Sequence, residues 1–208
     1  MVVWTDPLGP RYTPWLMILE DERVRAALLA VPQQWESMSE QRSAAVLAAI
    51  FRRDGADQLL FTERRADLPK HPGQIAFPGG ARDGEEGPLS CALRESHEEI
   101  GLEPATVTVL GALPNLTSSS SYRVHTIVGR IMGMDDLPPD PAEVVSIFAA
   151  PFEELFDDSR WEDREVVFGG RERRLSPHFD HGGHTIWGLT GRLTQDLIAA
   201  IRAVARDA

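Results

Sequence analysis

Three glutamates stand within one helical turn in Arg94-Glu95-Ser96-His97-Glu98-Glu99, and a fourth, Glu86, precedes them. Positions 95, 98 and 99 are spaced i, i+3 and i+4, so a helix through this segment projects all three carboxylates from one face. Like charges so close repel each other. A hard, oxygen-seeking cation such as Mg²⁺ or Mn²⁺ would convert the repulsion into coordination, and such ions recruit phosphate oxygens along with a few carboxylates. The competing reading of a lone acidic turn is a solvated helix face.

The elements that must position these acids follow from the apolar pattern. Leu89, Leu93 and Ile100 fall on the side of the helical wheel opposite Glu95 and Glu99, so a helix over 89–100 can bury one face and present acids on the other, with Gly101 as its stop. Ser96 lies on the buried side. Upstream, Ala44 to Phe51 reads as a buried strand ending at the turn Arg53-Asp54-Gly55, and Leu59 to Thr62 as the next strand. Further strands are expected at 75–77, 106–113, 122–131 and 144–149, a short helix at 152–156, weak strands at 166–168 and 184–187, and a C-terminal helix with Leu193, Leu197, Ile198, Ile201 and Val204 as its stripe. Pro138-Pro139-Asp140-Pro141 is a loop signal. An amphipathic helix is expected from Pro14 to Ala30, where Trp15, Leu16, Ile18, Leu19, Val24, Leu28 and Leu29 recur at helical spacing. The order predicts an α/β or α+β fold with a mixed sheet covered by helices, divided as an N-terminal helical extension at 1–40 and one domain at 41–208.

Composition narrows the partners. The chain has 208 residues, 42% hydrophobic and 25% charged, with no apolar run of the ~20 residues a spanning helix needs. Neither end carries a sorting signal, so a cytoplasmic location is expected. A formal charge of -11 argues against extended binding to nucleic acid but leaves room for a small basic pocket that accepts an anionic metabolite. Cys91 is the only cysteine, which excludes an internal disulfide and suits packing. His178, His181 and His184 lie among glycines and read as exposed loop histidines rather than metal ligands.

The full constellation is Gly80, five residues, Glu86, seven residues, Arg94-Glu95, two residues, Glu98-Glu99, one residue, Gly101-Leu102. It resembles the Nudix box, with Ser96 where that family usually has an aliphatic residue. The resemblance implies a loop–helix–loop on an α/β/α sandwich that binds divalent cations and hydrolyses a nucleoside diphosphate linked to another group. It also implies that Glu95 and Glu99 are the principal ligands of Mg²⁺ or Mn²⁺, with Glu98 and the carbonyl of Gly79 as further ligands and Glu86 as an accessory acid. Arg94 would orient a glutamate, and Glu98 is the candidate to take the proton of the attacking water.

The preceding segment, Leu60 to Gly80, resembles the signature of the coenzyme A pyrophosphatase branch of Nudix hydrolases. Arg64, Leu68, His71, Gly73 and Phe77 to Gly80 match, and Arg65 replaces a small residue. By that resemblance Arg64, Arg65, Lys70, His71 and Gly73 form a substrate pocket for coenzyme A or a derivative, cleaved to 3′,5′-ADP and a 4′-phosphopantetheine product. Asn115 to Ser121 resembles a substrate-facing loop. Alternatives are another nucleoside diphosphate derivative, such as NADH or ADP-ribose, or a noncatalytic nucleotide-binding module. The protein is expected to be a monomer or homodimer.

Overall fold

In the computed structural model, residues 21–32, 34–35, 42–168 and 172–206 are described. They form β1 (Arg42–Arg53), β2 (Ala56–Arg64), β3 (Ile75–Ala76), β4 (Gly79–Ala81), β5 (Thr108–Ala112), β6 (Leu116–Thr117), β7 (Tyr122–Arg130), β8 (Val144–Pro151), β9 (Trp161–Phe168), β10 (Glu172–His181) and β11 (His184–Trp187). The helices are α1 (Asp21–Ala27), α2 (Pro88–Ile100), α3 (Phe152–Leu155) and α4 (Gly188–Arg206). The expected N-terminal helix appears only as α1, since Pro14 to Glu20 lie outside the described residues.

The main sheet is mixed: β1 runs parallel to β7, whereas its pairings with β2 and β4 are antiparallel. β1 is long enough to change neighbours along its length. Its C-terminal half pairs with β2 from Ile50↔Leu59 onward, while its N-terminal part pairs with β4 at Ala44↔Ala81, Ala45↔Gly80 and Val46↔Gly79. β2 meanwhile pairs with β3 at Thr62↔Ala76 and with β8 on its other edge. The sheet therefore splits between β1 and β2, with β3 and β4 in the gap.

Alternation along β1 sorts the core into two layers. Ala45, Leu47, Ala49 and Phe51 pack with Leu60, Ile127, Cys91, Ala92 and Ile100 on the α2 side. Ala48, Ile50, Leu59 and Phe61 pack with Val24 of α1, Phe179, Ile186 and the α4 residues Leu193, Leu197, Ile198 and Ile201 on the other. The expected α/β/α sandwich is thus present, with a second sheet in the order β11-β10-β9 beside α4.

β10 contradicts the sequence expectation. The stretch read as a histidine-bearing loop is a ten-residue strand in the middle of that second sheet. Pro177 and the flanking charges obscure its alternation, and proline is disfavoured in central strands; packing of Phe179 into the core overrides both. Nor are the histidines loose on the surface: His178 is buried, and His181 and His184 are partly buried and face Glu154 and Glu63.

Far from the glutamates, Asp57 is fully buried and accepts Nε (3.2 Å) and Nη2 (2.8 Å) of Arg52 and Nη1 of Arg130 (3.0 Å). Arg130 also reaches Asp21 at 2.5 Å, tying α1 to the sheet. A buried carboxylate shared by two guanidinium groups is costly to break from one side. Asp57→Asn is expected to lower unfolding free energy by about 3 kcal/mol in urea denaturation.

Candidate active site

The helix that carries the acids has clear ends. Pro88 occupies its first turn, where a missing N–H costs nothing. Gly101 takes a left-handed conformation (φ 64°), its amide bonding back to the His97 carbonyl at 2.9 Å and that of Leu102 to Ser96 at 3.4 Å. Ser96 is fully buried and returns its hydroxyl to the Ala92 carbonyl at 2.7 Å, so a polar residue fits a site where the family favours an aliphatic one.

Glu99 departs from the helical-wheel expectation. It is 4% exposed rather than on an open face, because β4 runs beneath that side of the helix. Its Oε2 accepts the Gly79 amide at 3.1 Å, and its Oε1 accepts Arg64 Nη1 at 3.0 Å. Burial pushes its carboxyl up to about 7, although the Gly79 amide and Arg64 both favour the charged form. Glu95 is raised as well, again chiefly by burial, against the pull of Arg94. The Glu95 carboxylate lies directly over Gly80, where any β-carbon would overlap it.

Arg94 gathers the remaining acids. It donates from Nε (3.0 Å) and Nη2 (2.7 Å) to the two oxygens of Glu86, and from Nη1 to Glu98 at 2.8 Å. The same Nη1 lies 3.0 Å from Glu95 Oε1. The Glu86 carboxyl is accordingly held below its usual range, first by Arg94 and then, against burial, by the Asp83 amide. Cys91, below them, is buried with its thiol pushed up to about 12, chiefly by burial, which makes it a packing group.

Two residues at this site were not singled out from sequence. Glu143, just before β8, lies 3.4 Å from Arg64 Nη2, and its charge raises both Glu95 and Glu99. The Pro138–Glu143 loop that presents it is pinned to the end of α2 by the Asp140 amide, which donates to the Glu99 carbonyl at 2.8 Å. Trp35 donates its indole N–H to the Glu86 carbonyl at 2.5 Å and sets its ring edge-on to the buried His125. A glutamate before a strand and a tryptophan in a polar stretch carry no local signal of such roles.

The substrate candidates separate. Arg64 faces the acids. Arg65 pairs with Asp67 and donates to the Pro141 carbonyl at 2.7 Å, bordering a depression of about 430 Å³ lined also by Ala66, Val144 and Val145. Lys70 is exposed; His71 turns toward Gln74 and Ser120; Gly73, at φ 65°, closes the loop with its amide on the Arg65 carbonyl.

The donor set suits a hard divalent cation: oxygen ligands only, two of them drawn out of water beside a backbone turn. Among the described residues no three such groups converge as they stand, because Arg94 and Arg64 hold the carboxylates instead. The raised Glu99 gives a signed expectation. A neutral Glu99 favours folding below its unfolded pKa, and that contribution is lost as pH rises toward about 7. In EDTA the melting temperature is expected to fall between pH 5 and pH 8, and Glu99→Gln to flatten that fall; parallel profiles would contradict it.

A family model described as NUDIX domain matches residues 41–168. A protein of Pectobacterium atrosepticum named "Uncharacterized Nudix hydrolase NudL" is 36% identical over 174 residues, spanning 83% of this chain and 90% of its own length. A protein of the same name from Enterobacter sp. is 34% identical over 193 residues, spanning 89% of this chain and 95% of its own. Among solved structures, a MutT/nudix family protein from Enterococcus faecalis matches with a TM-score of 0.53 at 13% identity, covering 84% of this chain and 66% of that one, a likeness of fold alone. With its box helix, its sandwich and these relatives in agreement, the chain belongs to the Nudix family of hydrolases.

Proposed function

We propose that the protein hydrolyses the diphosphate bond of coenzyme A or its derivatives, in the cytoplasm and with Mg²⁺ or Mn²⁺, giving 3′,5′-ADP and a 4′-phosphopantetheine product. The observation that carries this reading is the contact between Arg64 and Glu99. A residue of the coenzyme A signature is bonded at 3.0 Å to the most buried acid of the Nudix box. The contact supports a reading in which diphosphate recognition and the acidic centre are one structure. Arg suits this position because its planar fork can hold a carboxylate and turn a second edge to a phosphate.

Glu95 and Glu99 would hold the cation, with Glu98, Glu143 and the Gly79 carbonyl as further oxygen donors. When bound, the ion neutralises the diphosphate and acidifies a water for attack at phosphorus. The protein's own groups do the rest. Arg94, fixed by Glu86 on one side, holds Glu95 and Glu98 in place. Glu98 is half-exposed at 56%, and this access to solvent supports it as the group that accepts the water's proton. Arg64, beside Glu99 and Glu143, would balance the charge growing on the leaving phosphate. Trp35 and the Asp83 amide keep the Glu86 loop from shifting.

Two outcomes test this. Purified protein with Mg²⁺ is expected to convert coenzyme A to 3′,5′-ADP, identified by mass spectrometry; turnover of ADP-ribose or NADH with none of free or acylated coenzyme A would assign a different substrate. Gly80→Ala is expected to lower kcat by about 10²-fold or more by displacing the Glu95 carboxylate. Its melting temperature should stay close to the parent's, since the clash falls on the tip of a side chain. Parental kcat in this variant would contradict the role of Glu95.

A further inference from the structure

We propose that His71, Ser118 and Ser120 form a phosphomonoester subsite, separate from the diphosphate centre, that recognises the ribose 3′-phosphate of the nucleotide. The inference rests on the proposed substrate only for the identity of that nucleotide.

The subsite arises where two loops meet: 65–74, between β2 and β3, and 118–121, between β6 and β7. His71 Nε2 lies 3.4 Å from Ser120 Oγ, which lies 3.1 Å from Ser118 Oγ. One of the two hydroxyl protons lies in the bond between the serines, and the other is free to turn to His71 Nε2 or to a ligand. Ser118 Oγ accepts the Tyr122 amide at 3.0 Å, which fills an acceptor position and leaves its own O–H to donate. The tautomer of His71 is assigned from its partner: Gln74 Oε1, 2.8 Å from Nδ1, is an acceptor, so Nδ1 carries the hydrogen. Nε2 faces the Ser120 hydroxyl, so the ring and both hydroxyls form one polar cluster where the loops meet.

Backbone strain singles out the same place. Among the described residues, only Asp54 (φ 52°), His71 (φ 54°) and Ser121 (φ 63°) are non-glycine residues in the left-handed region. Asp54 is accounted for by the two-residue turn Asp54-Gly55 that joins β1 to β2. His71 and Ser121 lie one on each of the two touching loops. Side chains held at such angles concentrate at ligand sites, where the surroundings enforce them.

Charge agrees with an anionic ligand. The Arg42 guanidinium donates to the Ser120 carbonyl at 3.3 Å and lies 4.4 Å from the Tyr122 ring centre, which places a fixed positive charge beside the hydroxyls. Lys70 is exposed next to His71. Arg64 and Arg65, the other basic groups of the signature, are engaged with Glu99, Glu143 and Asp67. Position explains why the ligand is a second phosphate. β4, beneath Glu95, and β7, which leads out of the serine loop, flank β1 on opposite sides, and Gly80 stands opposite Ala45 while Tyr122 stands opposite Arg42, so the two places lie two strand spacings across and three residues along β1, roughly 14 Å apart. The serine loop is therefore too far from the box acids to share their phosphates, so an anion held there is a second group of the ligand.

The test is titration calorimetry of the full chain with adenosine 3′,5′-bisphosphate and with adenosine 5′-phosphate. The bisphosphate is expected to bind about tenfold tighter or more, the worth of one or two hydrogen bonds to a charged group. Ser120→Ala and His71→Asn should each remove most of that preference; asparagine tolerates the left-handed backbone at 71, and the two changes lie on different loops. Equal binding of the two nucleotides by the parent, or a preference kept by both folded variants, would overturn the proposal. Coenzyme A turnover is scored separately. A protein that keeps the binding preference but does not cleave coenzyme A supports the subsite and contradicts the substrate reading, whereas cleavage with no binding preference contradicts the subsite alone.

Discussion

Repulsion among Glu95, Glu98, Glu99 and Glu143 is the constraint around which this structure is arranged. Four carboxylates crowd one end of α2 and β4, and in the two largely withdrawn from water, Glu95 and Glu99, burial favours the uncharged form. Two arginines supply part of the compensation. Arg64 serves Glu99 and Glu143, and Arg94 serves Glu86, Glu95 and Glu98. Burial still dominates at Glu99, which is pushed up to about 7 despite the guanidinium and the Gly79 amide. The protein alone thus leaves an acid poised between its two charge states, and a divalent ion is the natural means of settling it.

The rest of the fold exists to make that crowding rigid. The split between β1 and β2 admits β4, and glycine at 79 and 80 lets the backbone pass under the helix; a β-carbon at 79 would strike the β1 backbone, and one at 80 the Glu95 carboxylate. On the opposite face, Phe77, Phe61, Phe148 and His184 stack in a ladder from the β3–β4 link to the second sheet. Thr190 at the start of α4 donates to the Ile75 carbonyl at 3.0 Å. The strands bearing Arg64 and the coenzyme A signature are therefore clamped from behind by the C-terminal part of the chain, while α2 clamps from the front.

Much of this could be read in the sequence because it is local. Helix α2, its glycine stop, and the common face of Glu95, Glu98 and Glu99 follow from spacing within thirteen residues. β1, β2 and α4 announce themselves by apolar patterns of the right period. What escaped reading depends on tertiary approach. The helical wheel separates apolar from acidic residues but does not know that β4 lies beneath the acids, so it exposes Glu99 where the structure buries it. Glu143 and Trp35 reach the site through loops whose only local signals are prolines and polarity. β10 was hidden because Pro177 and three nearby histidines look like a loop until Phe179 finds the core. His71, by contrast, was named from the signature, but the partner that gives it meaning, Ser120, lies 49 residues away.

The most direct test is a crystal structure of the protein soaked in Mn²⁺ with a non-hydrolysable diphosphate analogue, with the anomalous signal used to locate the metal. The account predicts a Mn²⁺ peak in contact with Glu95 and Glu99, with both carboxylates turned from Arg94 and Arg64 and the freed Arg64 guanidinium on the analogue. A structure in which the arginine–glutamate pairs persist and the metal binds elsewhere, or not at all, would contradict it.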